Sequence, residues 1–169
     1  AVWAYFLTER FGWSEAMIGL TLGLYGFFYA LVMGLMVNPS INRMGLYGAV
    51  LFGLIFEIVS MLVLSVINDG TLLLIMIPIA ALGALALPAL QSAMSQRVSD
   101  DAQGELQGVL TSVTSVALII APVAMPQTFA LFTRAGTALD RPGAPFLLSA
   151  GQMLICLGLF ARSSVASDH

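Results

Sequence analysis

The chain has 169 residues, 59% of them hydrophobic and only 9% charged, with a formal net charge of −3 and a mean hydropathy of +0.97. An average soluble domain carries about 25% charged residues, so six basic and nine acidic side chains cannot clothe a water-soluble surface of this size. Composition therefore excludes a soluble globular domain, a nucleic-acid binder and a disordered chain, and makes lipid the main solvent.

Uncharged runs mark the expected membrane segments in chain order. Residues 16–42 carry no charge, Glu57 is the only charge between Met44 and Asn68, and 70–96, 106–133 and 142–161 carry none. Each is near or above the roughly 20 residues a helix needs to cross about 30 Å of hydrocarbon. Backbone polar groups in lipid must be satisfied within the segment, which predicts helices. Alternating strand patterns of a membrane barrel are absent. Five spanning helices are expected near 16–37, 46–67, 71–94, 106–132 and 145–161. Residues 1–7 look like the exit of an earlier helix, and the chain reads as a fragment whose beginning is missing.

The connections carry turn chemistry. Asn38-Pro39-Ser40 is expected to end the first full helix, and Asn68-Asp69-Gly70 to turn after the second. Ser99-Asp100-Asp101 is expected to cap the fourth, and Arg141-Pro142-Gly143 to precede the last. Pro122 and Pro126 should kink the fourth helix, because each removes a backbone donor. Trp3 and Trp13 flank the first loop, where interfacial aromatics are expected. Arginines tie at three per side (Arg10, Arg134 and Arg141 against Arg43, Arg97 and Arg162), so charge gives no orientation. They form no basic cluster, and the lone Cys156 and terminal His169 exclude an intrachain disulfide and a cysteine or histidine metal set.

Glu57 is the sharpest functional signal. It falls mid-way along 46–67, near the bilayer midplane at ~1.5 Å per residue. A charge there costs at least about 2.5 kcal/mol on insertion scales, and such residues face a bundle interior or a water path and often carry protons. Gly53 and Ser60 share its face. The bland alternative is a protonated carboxyl bonded to a neighbouring helix. In the first full helix, Gly19, Gly23, Gly26, Ala30 and Gly34 fall within about 80° of arc, a stripe that lets helices approach closely. Beside it, Tyr25, Tyr29 and Met33 follow at i, i+4 and i+8. They either line a cavity for a lipophilic substrate or bond across helices. Gln107, Thr111 and Thr114 share one face of the fourth helix, and Gln91 ends the third; these groups either glue helices or line a water path. No nucleophile and buried base pair is available, so an enzyme is not expected.

Specific strings then become familiar. Leu7-Thr8-Glu9-Arg10-Phe11-Gly12-Trp13-Ser14, Leu87-Pro88-Ala89-Leu90-Gln91 and Gln103-Gly104-Glu105-Leu106-Gln107-Gly108, in that order, resemble the second half of tetracycline-efflux transporters of the major facilitator superfamily. The resemblance implies an all-α membrane protein: the C-terminal six-helix half of a 12-helix fold, comprising the end of helix 7 plus helices 8 to 12 over residues 1–169. It implies a proton-coupled antiporter of a bacterial inner membrane, exporting a small molecule by alternating access. The proton gradient would supply the energy, without another cofactor. The partners implied are substrate, protons, the lipid bilayer and the missing N-terminal half, with no nucleic acid. The 38–45 and 95–104 loops would be cytoplasmic. Glu57 sits where the family has an essential intramembrane aspartate. Tyr29 and Met33 stand where the tetracycline pumps have histidine and glutamine, and Ala121 replaces a glycine before Pro122. These departures suit a substrate more lipophilic than tetracycline. The alternative is a non-transporting membrane binding or assembly protein that retains the scaffold.

Overall fold

The computed structural model describes residues 2–132 and 143–165. Among these residues the fold is entirely helical. A short α1 (Val2–Phe11) leads through a tight loop into α2 (Glu15–Leu31), whose start is capped by Ser14 Oγ accepting the Met17 N–H at 3.4 Å. A π-helical turn over Val32–Met36 joins α2 to α3 (Val37–Val66). Next come α4 (Gly70–Ala81), a 3₁₀ turn over Leu82–Leu85, and α5 (Ala86–Ser95). The long α6 (Gln103–Phe132) and then α7 (Ala144–Val165) complete the chain.

Four helical stretches are long and apolar enough to cross a membrane. The first runs for 52 residues, Glu15–Val66, which at ~1.5 Å per residue is more than twice the thickness of the hydrocarbon core. Gly45 divides it: its φ of 71° and ψ of 173° are non-helical and lie in a region open almost only to glycine. The chain thus stays helical through Asn38-Pro39-Ser40 and breaks at Gly45, contrary to the turn expected at the proline. Pro39 occupies the first turn after the π segment, where a missing N–H is readily tolerated. Helix α6 likewise runs on through Pro122 and Pro126. Arg141 and Pro142, expected in the turn before α7, lie outside the described residues, as do Arg134 and His169.

Two expected turns have clear polar anchors. Asp69 Oδ1 accepts the N–H groups of Thr71 at 2.7 Å and Leu72 at 3.1 Å, starting α4. Those Leu72 and Thr71 donors hold the exposed Asp69 carboxyl below its ordinary pKa. The Gln103 side chain donates to Ser95 O at 2.7 Å and Val98 O at 3.3 Å, and accepts from Ser95 Oγ at 2.8 Å, clamping the 95–103 loop.

The second part of α3 is the hub, packed on α5, the 3₁₀ turn and α7, while α2 lies on α4. The main core joins Phe6, Leu7, Ile18, Leu64, Ile67, Leu73 and Ile77 near the 12–14 and 67–69 turns. Arg10 Nε donates to Ile67 O at 3.0 Å and ties those two turns together. Gly53 sits so close to the backbone of Ala86 that a Cβ would lie 2.8 Å from the Ala86 Cα. This is the close approach that small residues permit. By contrast, Gly19, Gly23, Gly26 and Gly34 face nothing within 4 Å. The expected packing of that stripe against a neighbouring helix is therefore not made among the described residues, because α2 turns its opposite side to α4.

Candidate functional site

Packing of α1, α2, α3, α4 and α7 leaves a cavity of about 250 Å³ with an almost wholly apolar wall. Glu57, Ser60, Met61 and Leu64 line it from α3, in the i, i+3, i+4, i+7 order of one helix face. Leu22 and Tyr25 come from α2, Leu73, Met76, Ile77 and Ala80 from α4, Trp3 from α1 and Phe146 from α7. Leu22 and Tyr25 are 54% and 38% exposed, so the cavity opens on the α2 side. Glu57 is the one charged side chain in this wall.

The depth of the site follows from helix geometry. Glu57 lies roughly 15 Å along α3 from Ile67, at about 1.5 Å per residue. Trp3 lies roughly 13 Å along α1 from Gly12 by the same measure. Both turns end the bundle on the same side, so the two residues meet at one level inside the layer. Trp3 is therefore an interior residue, not the interfacial one expected. Its Nε1 donates to Thr21 Oγ1 at 3.0 Å, and the buried Thr21 hydroxyl donates to Ile18 O at 2.7 Å. Trp3 also meets the ring of Phe146 edge to face, with centroids 6.4 Å apart at 87°.

Two details shape the acid's surroundings. The 3₁₀ turn brings Gly83 against Glu57: a Cβ on Gly83 would lie 3.2 Å from Glu57 Cβ and Cδ and would run into its Oε2. Ser60 is 1% exposed, and its Oγ is the one buried side-chain polar atom without a hydrogen-bond partner among the described residues. A buried, unpaired hydroxyl costs free energy, about 1–3 kcal/mol, and buried polar groups are ordinarily hydrogen-bonded.

Among the residues singled out by sequence, Glu57, Ser60 and Tyr25 meet at this cavity. Tyr29 stands beside Tyr25, with ring centroids 6.1 Å apart, but does not line it. Met33 lies in the π turn and does not line the cavity either. Gln91, Gln107 and Thr111 are exposed and remote from the cavity wall. From Gln107 to Ala124 every residue of α6 except Leu110 is exposed, and the Ser112, Thr114 and Ser115 hydroxyls donate to carbonyls four residues back. Sequence reasoning missed Trp3, Gly83, Met76 and Phe146. Only Gly83 left a signal, as one of a run of small residues in Ala80-Ala81-Leu82-Gly83-Ala84.

Comparison with known proteins places the chain in a family. The family model described as Major Facilitator Superfamily matches residues 1–168. The chain is similar to "Tetracycline resistance protein, class C" of Escherichia coli, 30% identical over 164 residues, which is 97% of this chain and 40% of that protein. It is 30% identical to the class G protein of Vibrio anguillarum over 167 residues, 99% of this chain and 41% of that protein. Against the class E protein of Escherichia coli it is 35% identical over 122 residues, 72% of this chain and 30% of that protein. The chain thus spans well under half the length of these curated relatives. No solved structure gives a significant match. With an all-helical, membrane-length architecture and a family match over nearly every residue, this chain belongs to the Major Facilitator Superfamily of transporters and is not an enzyme.

Proposed function

We propose that this chain is the C-terminal half of a proton-coupled exporter of lipophilic small molecules, working by alternating access in a bacterial inner membrane. Residues 1–11 are then the end of helix 7, and the remaining helices are 8 to 12. The resemblance of the Leu87-Pro88-Ala89-Leu90-Gln91 and Gln103-Gly104-Glu105-Leu106-Gln107-Gly108 strings to the second half of tetracycline-efflux transporters supports that position. The observation that carries the coupling reading is Glu57, the lone acid in an apolar cavity at mid-depth. In such surroundings a charged and a neutral carboxyl favour different packing, so proton uptake biases a two-state equilibrium. Substrate biases the same equilibrium from its own contacts, and exchange follows when the two ligands favour opposite states.

The open small-residue face of α2 and the exposed length of α6 are then the surfaces that meet the other half. Tyr29, Met33, Gln91, Gln107 and Thr111 border that pathway. The test is transport of a panel of dyes and antibiotics by cells producing the full-length protein, with and without a pH gradient. Export of at least one lipophilic compound that stops when the gradient is collapsed is expected. Export indifferent to the gradient contradicts the coupling reading, and no export of any compound contradicts the exporter reading.

A further inference from the structure

We propose that the Glu57 cavity is a binding site for the protonated amino group of a lipophilic amine, seated wholly within this half of the molecule. This deepens the exporter reading by naming a substrate class at the same carboxyl, and it rests on that reading. Four observations carry it. The cavity wall holds one acid and no cationic side chain, so a charged Glu57 has no partner in the wall. A buried charge without a partner is costly, and a ligand that brings the opposite charge removes that cost. Ser60 belongs to the same wall, one helical turn from Glu57; its Oγ is unpartnered and has a free acceptor, but is turned away from the cavity surface. A primary or secondary ammonium supplies one N–H to the carboxylate and, when the Ser60 side chain rotates toward the cavity, another to this hydroxyl, which a proton alone does not.

Third, Trp3, Tyr25 and Phe146 contribute aromatic walls, and aromatic faces attract ammonium groups within about 6 Å. Trp3 and Phe146 already hold an edge-to-face pair, so the wall is preformed. Fourth, the volume of about 250 Å³ is just below the 300–1,000 Å³ typical for drug-sized ligands. It therefore takes a small aryl-alkyl amine, or the amine-bearing end of a larger one, entering past Leu22 and Tyr25. The Met61 and Met76 side chains adapt to different hydrocarbon shapes on the remaining wall.

The experiment measures equilibrium binding of radiolabelled 2-phenylethylamine to the full-length protein in lipid nanodiscs at neutral pH, with empty nanodiscs subtracted. Propylbenzene, the same shape with methyl in place of ammonium, is measured alongside. Saturable amine binding is expected, weakened about tenfold or more by Glu57→Gln and about three- to tenfold by Ser60→Ala. Propylbenzene binding is expected to change less than twofold in both variants, which shows the cavity is still formed. Amine binding that is absent, or equal in wild type and Glu57→Gln while propylbenzene still binds, overturns the inference. The failure of the exporter reading looks different: gradient-driven export is missing although the amine binds through Glu57 and Ser60. That outcome supports the site and contradicts only the transport role.

Discussion

Glu57 and Gly83 share space that one added methyl group would fill. Gly83→Ala is therefore expected to displace the carboxyl, at a cost of about 1–3 kcal/mol for overpacking. Gradient-driven export should fall at least several-fold. Gly151→Ala, on an open face of α7 with nothing within 4 Å, should leave export unchanged, and measuring both variants side by side separates local collision from a general effect of losing glycine. Asp69 makes a different kind of prediction. Its carboxylate is stabilised by the Leu72 and Thr71 N–H donors, so its pKa is lowered in the folded state. The sign follows from linkage: this contribution is present above the ordinary carboxylate range and is lost as pH falls through the lowered value. Thermal unfolding of the purified protein is expected to lose stability toward acid more steeply in wild type than in Asp69→Ala, which lacks the cap at every pH. The prominence of Glu57 is legible in sequence because a mid-span charge is rare. The roles of Trp3 and Phe146 are not, because aromatic residues in an apolar chain carry no sign of which cavity they enclose.

At the scale of elements, helix boundaries follow charge and capping residues where those residues act locally. Asp69 is an example, accepting two N–H groups of the turn it starts. The exception is the α2 to α3 passage. Asn38-Pro39-Ser40 looks like a stop signal, yet proline in a first helical turn loses little, and the π segment just before it absorbs the change in winding. The real break at Gly45 depends on a backbone conformation, which one glycine among 16 does not announce. Gly45→Ala is expected to destabilise the protein by about 1–3 kcal/mol, since the break would then hold a side chain in a region nearly closed to it. Thermal or denaturant unfolding checks this; a change under about 0.5 kcal/mol, the usual surface range, would contradict a structural role for the break. Gly53 is legible as a small residue beside Glu57. That it meets the Ala86 backbone emerges only when α3 and α5 are brought together.

At the scale of the whole molecule, one side of this chain is packed and the other is open. One face of α3 buries Ala49, Val50, Ile58, Ser60 and Leu64 against its neighbours, whereas the α2 glycines and the middle of α6 are open. If another half covers the α2 face, Gly23→Trp and Gly26→Trp should leave insertion of the full-length protein in the membrane intact but lower export more than tenfold. Undiminished export by both variants would show that the face is not an interface. Composition made the lipid solvent and the helical class legible, and ordered strings made the family legible. The cavity was not, because it forms only where side chains from five separate helices, Trp3 through Phe146, come together. The most direct measurement is substrate-driven proton movement in proteoliposomes containing the full-length protein or its Glu57→Gln variant, inserted at equal density. Proton movement coupled to substrate in wild type and lost in Glu57→Gln is the expected result; equal proton movement in both would contradict the coupling role of Glu57.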